Sequence, residues 1–197
     1  MDILAYFRSL FQQSKSSSPS KPLIHELIVR SEDEKQDYER WKETLVFRRL
    51  RDWLQEQYVI FLHQPDQLPE TVEFLQTPSS KGFAVFFHKT RYSVREITHF
   101  FDFLKERVLE QEYRVQVSDI RSYERPNWVE TVQRHYLKPR PQMDEAGKLR
   151  QRFGNITIEY ILRNDHPYQL RLRATAYKDH LFQEAEDFKY LFTALLA

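Results

Sequence analysis

Between Asn155 and Lys178 the sequence alternates twice around a turn written Asn164-Asp165-His166-Pro167. Ile156, Ile158, Tyr160 and Leu162 share one face of the first segment, and Tyr168, Leu170, Leu172, Ala174 and Ala176 share one face of the second. Successive side chains of a strand point to opposite sides, so this period of two predicts a β-hairpin with one buried face. Such a face must be covered, and the remaining chain has to supply the apolar surface that covers it. The opposite face reads Thr157, Glu159, Ile161 and Arg163, then Gln169, Arg171, Arg173, Thr175 and Tyr177. It is polar and, on the second strand, basic.

The cover is expected from amphipathic helices. Ile3, Leu4, Phe7, Leu10 and Phe11 fall on one helical face, and the stretch from Ser14 to Lys21 reads as a flexible polar linker. Residues 1–21 are therefore read as a tethered amphipathic helix, and residues 22–197 as a single α+β domain. Within it, Pro22 to Val29 suggests a short helix. Ser31-Glu32-Asp33-Glu34 has the form of a capping box, in which the Ser oxygen and the Glu carboxylate each satisfy free backbone donors of a new helix. An apolar stripe follows to about His63, and its phase slips near Leu45, which fits either one long helix or two with a bend. Leu68, Val72 and Leu75 suit a further short helix opened by Pro69, although Val72 and Phe74 also suit a strand. Phe83 to His88 is a nearly continuous apolar run and reads as a strand covered on both faces.

A second capping box, Ser93-Val94-Arg95-Glu96, opens the most regular helical stripe in the chain, with Val94, Ile97, Phe101, Leu104 and Val108 aligned. Tyr113, Val115 and Val117 alternate with polar residues, and Trp128 to Leu137 is rich in strand formers. Lys138 to Gly147 reads as a long irregular connection. The hairpin follows, then Leu181, Ala185, Phe188, Leu191, Phe192 and Leu195 form a closing stripe. The predicted fold is α+β: N-terminal helices, a β-α-β unit continuing into a four-stranded antiparallel meander, and a C-terminal helix, with one sheet face covered by helices.

Several functions are excluded by what the chain lacks. It has no cysteine, which removes disulfides, thiolate chemistry and the common structural zinc sites. The three glycines, Gly82, Gly147 and Gly154, are scattered, whereas dinucleotide-binding turns and P-loops need clustered glycines for the backbone to approach phosphates. Thirty basic against 29 acidic residues leave no overall field for nucleic acid or an anionic membrane. No uncharged apolar run reaches membrane-spanning length. Met1 to Arg8 also lacks the positive leader and unbroken apolar core of a secretory signal, so a soluble, cytoplasmic protein is expected.

Two sets of residues can carry chemistry. His135, Asp119 and Glu159 lie on neighbouring segments and form an acid–base set if the strands pair in sequence order. The seven histidines never fall at the spacings that put two imidazoles on one face, and His99-x-x-Asp102 is a partial pair at best, so no metal and no cofactor are expected. The second set is the outward side of the meander: Arg114, Arg163, Arg171, Arg173 and Tyr177, joined by Trp128, Arg134 and Tyr136 if Val129 and Leu137 point inward. Arginines interleaved with aromatics suit carboxylates, phosphates, a nucleic-acid strand or a protein partner.

These observations favour a non-enzymatic binding or scaffolding domain that uses this Arg/aromatic face for a protein partner or an anionic ligand. The competing reading is a small-molecule enzyme with an acid–base site between sheet and helices. The role of the first helix is open to a direct measurement. Such a helix can dock on its own domain, on a partner or at a membrane surface; deleting residues 1–20 lowers the melting temperature in the first case, and an unchanged value leaves partner docking as the better account.

Overall fold

The computed structural model describes residues 25–27, 31–87, 92–140, 145, 153–176 and 185–196. The expected helix at residues 2–13, the linker behind it and most of the connection after Pro139 lie outside these residues.

Helix α1 (Glu32–Lys42) begins at the expected capping box: the Ser31 hydroxyl accepts the Glu34 N–H at 3.2 Å, and the Glu34 carboxylate accepts the Ser31 N–H at 2.7 Å. The phase slip near Leu45 is a break between two helices. Thr44 caps α2 (Leu45–His63), its hydroxyl accepting the Phe47 N–H and donating to the Trp41 carbonyl at 2.7 Å. A 3-10 turn at Pro65–Gln67 ends this half. Helix α3 (Val94–Glu110) carries the second capping box, and α4 (Ala185–Leu196) closes the chain.

Seven strands form one sheet: β1 (His25–Leu27), β2 (Val72–Thr77), β3 (Ser80–Phe86), β4 (Tyr113–Glu124), β5 (Val129–Pro139), β6 (Phe153–Arg163) and β7 (His166–Ala176). Their order is β1-β4-β5-β6-β7-β3-β2, and every neighbouring pair is antiparallel. The expected meander is β4 to β7. Strands β3 and β4 do run in the same direction on either side of α3, but β5, β6 and β7 lie between them. The crossover thus spans the meander instead of joining neighbours.

Two expected helices are strands. The described part of the 22–29 segment, His25–Leu27, pairs with Asp119–Arg121 on β4. The 68–75 segment is corrected to β2, because Val72 and Phe74 gain cross-strand partners in Val85 and Phe83 once residues 72–86 fold as a hairpin. Isolated helical periodicity in so short a segment is weaker than that pairing. These two strands raise the count from the five expected to seven.

The hairpin turn is made by Asn164 and Asp165 alone, with φ of 47° and 61°. Two consecutive residues at positive φ match the twist of the flanking strands, and Asn and Asp tolerate that region better than other side chains. The apolar parity is as expected: Ile156, Ile158, Tyr160, Leu170, Leu172 and Ala174 are sealed from solvent. Tyr168 falls at a register shift opposite Ile161 and Leu162. Phe101 of α3 packs on Tyr160 with ring centroids 6.3 Å apart, and Phe192 of α4 meets Phe83, Phe74 and Tyr58. Burial pushes the Tyr160 phenol well above its ordinary pKa. The other side of the sheet carries the charges, and no ring contact between a described helix and the sheet falls on it.

Strands β3 and β7 approach closely at Gly82, where an added Cβ would run into the Leu172 carbonyl oxygen and the Arg173 Cα. Gly82→Ala is expected to cost about 2 kcal/mol, the usual scale for forcing atoms into a packed site. A urea melt reads this directly, and an unchanged midpoint would show that the two strands can part without penalty.

Candidate functional site

Register sets the site. On the charged side, one row across the sheet reads Asp119, Arg134, Glu159, Arg171, Ala84 and Glu73, and the adjacent row reads Tyr136, Thr157, Arg173, Gly82 and Leu75. Directly opposed side chains in a sheet lie within contact distance, so opposite charges placed this way pair. Arg134 Nε donates to Glu159 Oε1 at 2.6 Å, and Arg171 Nε donates to Glu159 Oε2. Arg121 holds the sealed Asp119 carboxylate at 2.7 and 2.8 Å. Glu159 therefore spends both oxygens on guanidinium groups, and Arg134 and Arg171 are partly neutralised.

Arg173 differs. Its Nε and Nη2 donate to the Ser80 hydroxyl at 3.1 and 2.9 Å, and among the described residues no carboxylate lies within ion-pair distance. Ser80 is itself fixed by the β2–β3 turn, where the Thr77 hydroxyl accepts the Ser80 N–H and donates to the Ser80 carbonyl, both at 3.1 Å. The guanidinium is thus oriented by a neutral partner, with no counter-charge among the described residues. That is the arrangement a carboxylate or phosphate binds, because the planar fork is already positioned and loses little freedom on binding.

Beside it runs a trough. On this side the middle of β3, between Ser80 and Phe86, carries only Gly82 and Ala84, so the sheet is low between the taller side chains of β7 and β2. The resulting cavity is about 450 Å³ and is lined by Glu73, Leu75, Ala84, Thr157, Gln169, Arg171 and Arg173, among others. That volume falls within the range of small-ligand sites.

The remaining arginine and aromatic candidates divide. Tyr136 stands half-buried next to Thr157 at the far rim, and exposed Arg114 sits at a distant corner beside Lys138. Leu137 points inward and is sealed, whereas Val129 remains 44% exposed. Arg163 is occupied elsewhere: its guanidinium lies 3.4 Å from the Tyr168 ring centroid and 4.6 Å from that of Trp128, with Glu130 at 3.6 Å. This stack clamps the end of the β6–β7 hairpin. Tyr177 lies outside the described residues.

The acid–base candidates are not brought together. Asp119 and Glu159 lie on the charged side, while His135 is fully buried on the helix side, 2.7 Å from Ser118 Oγ through Nδ1 and stacked on Phe101 at 4.4 Å. Asp102 of α3 approaches the far nitrogen of His135 at 4.0 Å. His99 turns instead to Asp37, its Nε2 lying 3.1 Å from a carboxylate that Arg95 also holds, and the Arg95 guanidinium keeps Asp37 below the usual carboxylate range. Among the described residues no group of three or more His, Asp and Glu side chains could hold a metal ion, and no helix is long and apolar enough to cross a membrane.

Sequence reasoning missed Ser80, Glu73 and Ser118. The first two were hidden by the misreading of β2, since a helix at 68–75 leaves no strand opposite β3. The signal was Val72 and Phe74 in alternation, with Pro78-Ser79 available as the turn. Comparison with known proteins finds no matching family model, no matching curated protein and no matching solved structure.

Glu159 is the electrostatic centre of the charged side. Because its two partners are about a third to a half exposed, solvent screens the array, and a double-mutant cycle between Glu159→Ala and Arg134→Ala is expected to give a coupling of about 1 kcal/mol. Zero coupling would mean that the row is a solvated surface with no cooperative content.

Proposed function

We propose that the protein is a non-enzymatic binding domain whose charged sheet side captures a carboxylate- or phosphate-bearing partner, with Arg173 as the principal anion contact. The observation that carries this reading is a guanidinium held by the neutral Ser80 hydroxyl, without a counter-ion among the described residues, on the wall of a cavity. Three other arginines of this side are held by carboxylates, Arg134 and Arg171 by Glu159 and Arg121 by Asp119, whereas the exposed Arg173 is held by Ser80 alone among the described residues. A guanidinium oriented by a neutral hydroxyl that the β2–β3 turn itself fixes keeps its charge available to an anionic ligand.

Arg171 adds a second guanidinium to the same wall, and Thr157 and Gln169 supply neutral hydrogen-bonding groups. The expected partner is a protein or peptide carboxylate, or a small anion of similar shape. His135 lies on the helix side, apart from Asp119 and Glu159, so those three residues do not share one site.

The test uses succinate and phenyl phosphate as probes, titrated against the native chain and followed by NMR shifts of the β7 amides. Saturable binding that weakens with added salt is expected. Arg173→Gln is expected to reduce affinity about tenfold or more, the cost of one charge-assisted pair, while Arg114→Gln leaves it unchanged. Equal affinity of native and Arg173→Gln chains, or no saturable shift with either probe, overturns the reading.

A further inference from the structure

The trough has two walls, and the second one also carries an unsatisfied charge. Glu73 on β2 is exposed, lines the cavity, and makes no ion pair or hydrogen bond among the described residues. In the register it faces Arg171 across Ala84, but Arg171 is already held by Glu159, and the uncompensated cation is Arg173, one row along. Among the described residues one wall therefore offers a cation and the other an anion without an ion-pair partner, diagonally placed over a floor of Gly82 and Ala84.

We infer that the trough is built for a zwitterionic ligand of extended form, a short peptide with free ends, its carboxylate on Arg173 and its ammonium on Glu73. The inference deepens the anion-binding reading and rests on it.

Three features favour this chemistry over a simple anion. The first is charge: a monoanion satisfies Arg173 but leaves Glu73 facing it from the opposite wall, whereas a zwitterion satisfies both. The second is span. Neighbouring strands lie about 4.8 Å apart and rise about 3.3 Å per residue, so the Cα atoms of Arg173 and Glu73, separated by two strands and two residues, are on the order of 12 Å apart. A fully extended tripeptide covers about 10 Å, which leaves room for a charge-assisted contact at each end once the Arg and Glu side chains lean inward. The two charges of a single amino acid share one α-carbon and cannot reach both walls.

The third is the character of the middle. Between the charged ends lie Gly82 and Ala84, flanked by Leu75 and Arg171, while Thr157 on β6 and Gln169 farther along β7 line the cavity just outside this diagonal. Neither the Thr157 hydroxyl nor the Gln169 amide has a hydrogen-bond partner among the described residues, so both are available to polar groups of a ligand that reach past the diagonal. Leu75 is an exposed apolar side chain directly beyond Gly82 in the Arg173 row, positioned to take an apolar ligand side chain.

The experiment titrates four probes against the native chain by calorimetry: a leucine-centred tripeptide with free ends, its N-acetylated form, its C-terminal amide, and free leucine. The free-ended tripeptide is expected to bind about tenfold tighter than the acetylated form and at least as much tighter than free leucine, with the amide weakest. Glu73→Gln is expected to bring the free-ended tripeptide down to the level of its acetylated form and to leave the acetylated form unaffected. Arg173→Gln weakens every probe that carries a carboxylate. If acetylation costs nothing, if Glu73→Gln changes nothing, if free leucine matches the tripeptide, or if no peptide binds, the zwitterion site is overturned. The anion site is then judged separately by succinate and phenyl phosphate.

Discussion

Parity governs this molecule. A side chain in the β6–β7 hairpin belongs either to the core or to the charged surface, and a register slip of one residue would exchange the two sets wholesale. The two-residue turn at Asn164 and Asp165 holds that register at one end. From it follow the burial of Ile158, Tyr160, Leu170 and Leu172 under α3 and α4, and the alignment of Arg134, Glu159 and Arg171 in a single row on the other side. The Tyr160–Phe101 contact and the Glu159 ion pairs are thus two outcomes of one constraint.

What the sequence makes legible is what local period can encode. Both capping boxes form as expected, since Ser31 with Glu34 and Ser93 with Glu96 need only residues three apart. The alternation of Ile156 to Leu162 and of Leu170 to Ala174 identifies its buried face correctly, because burial repeats every second residue whatever the partner. The failures share a different cause. His25–Leu27 and Val72–Thr77 are short segments whose conformation is decided by strands far away in the chain, β4 and β3, and by the pairing those strands offer. Propensity alone has little weight over so few residues.

The same reasoning explains why the site was only half visible. Arg171 and Arg173 stand out in the sequence as basic residues on a polar face. Which of them is free depends on Glu159 across one strand boundary and Ser80 across the other, and no local pattern reports that. Trp128 and Arg163 have the composition of a recognition surface but pack on each other, with Tyr168 completing the stack. His135 has the composition of a catalytic base but is enclosed against Phe101 and Ser118. Residue type nominates candidates, and cross-strand partners decide among them.

The crossover through α3 gives the trough a particular history. Its outer wall and floor come from a hairpin in the first half of the chain, while its inner wall is β7, the last strand to be made. Contacts such as Phe83 with Leu172 close a long loop, and contacts of that kind are the slow ones to form because the chain entropy is lost before the pairing rewards it. A trough that requires this closure exists only in the finished domain. Any ligand seated between β2 and β7 therefore acts as a clasp on the join between the two halves of the fold, favouring the completed sheet over every partly assembled form.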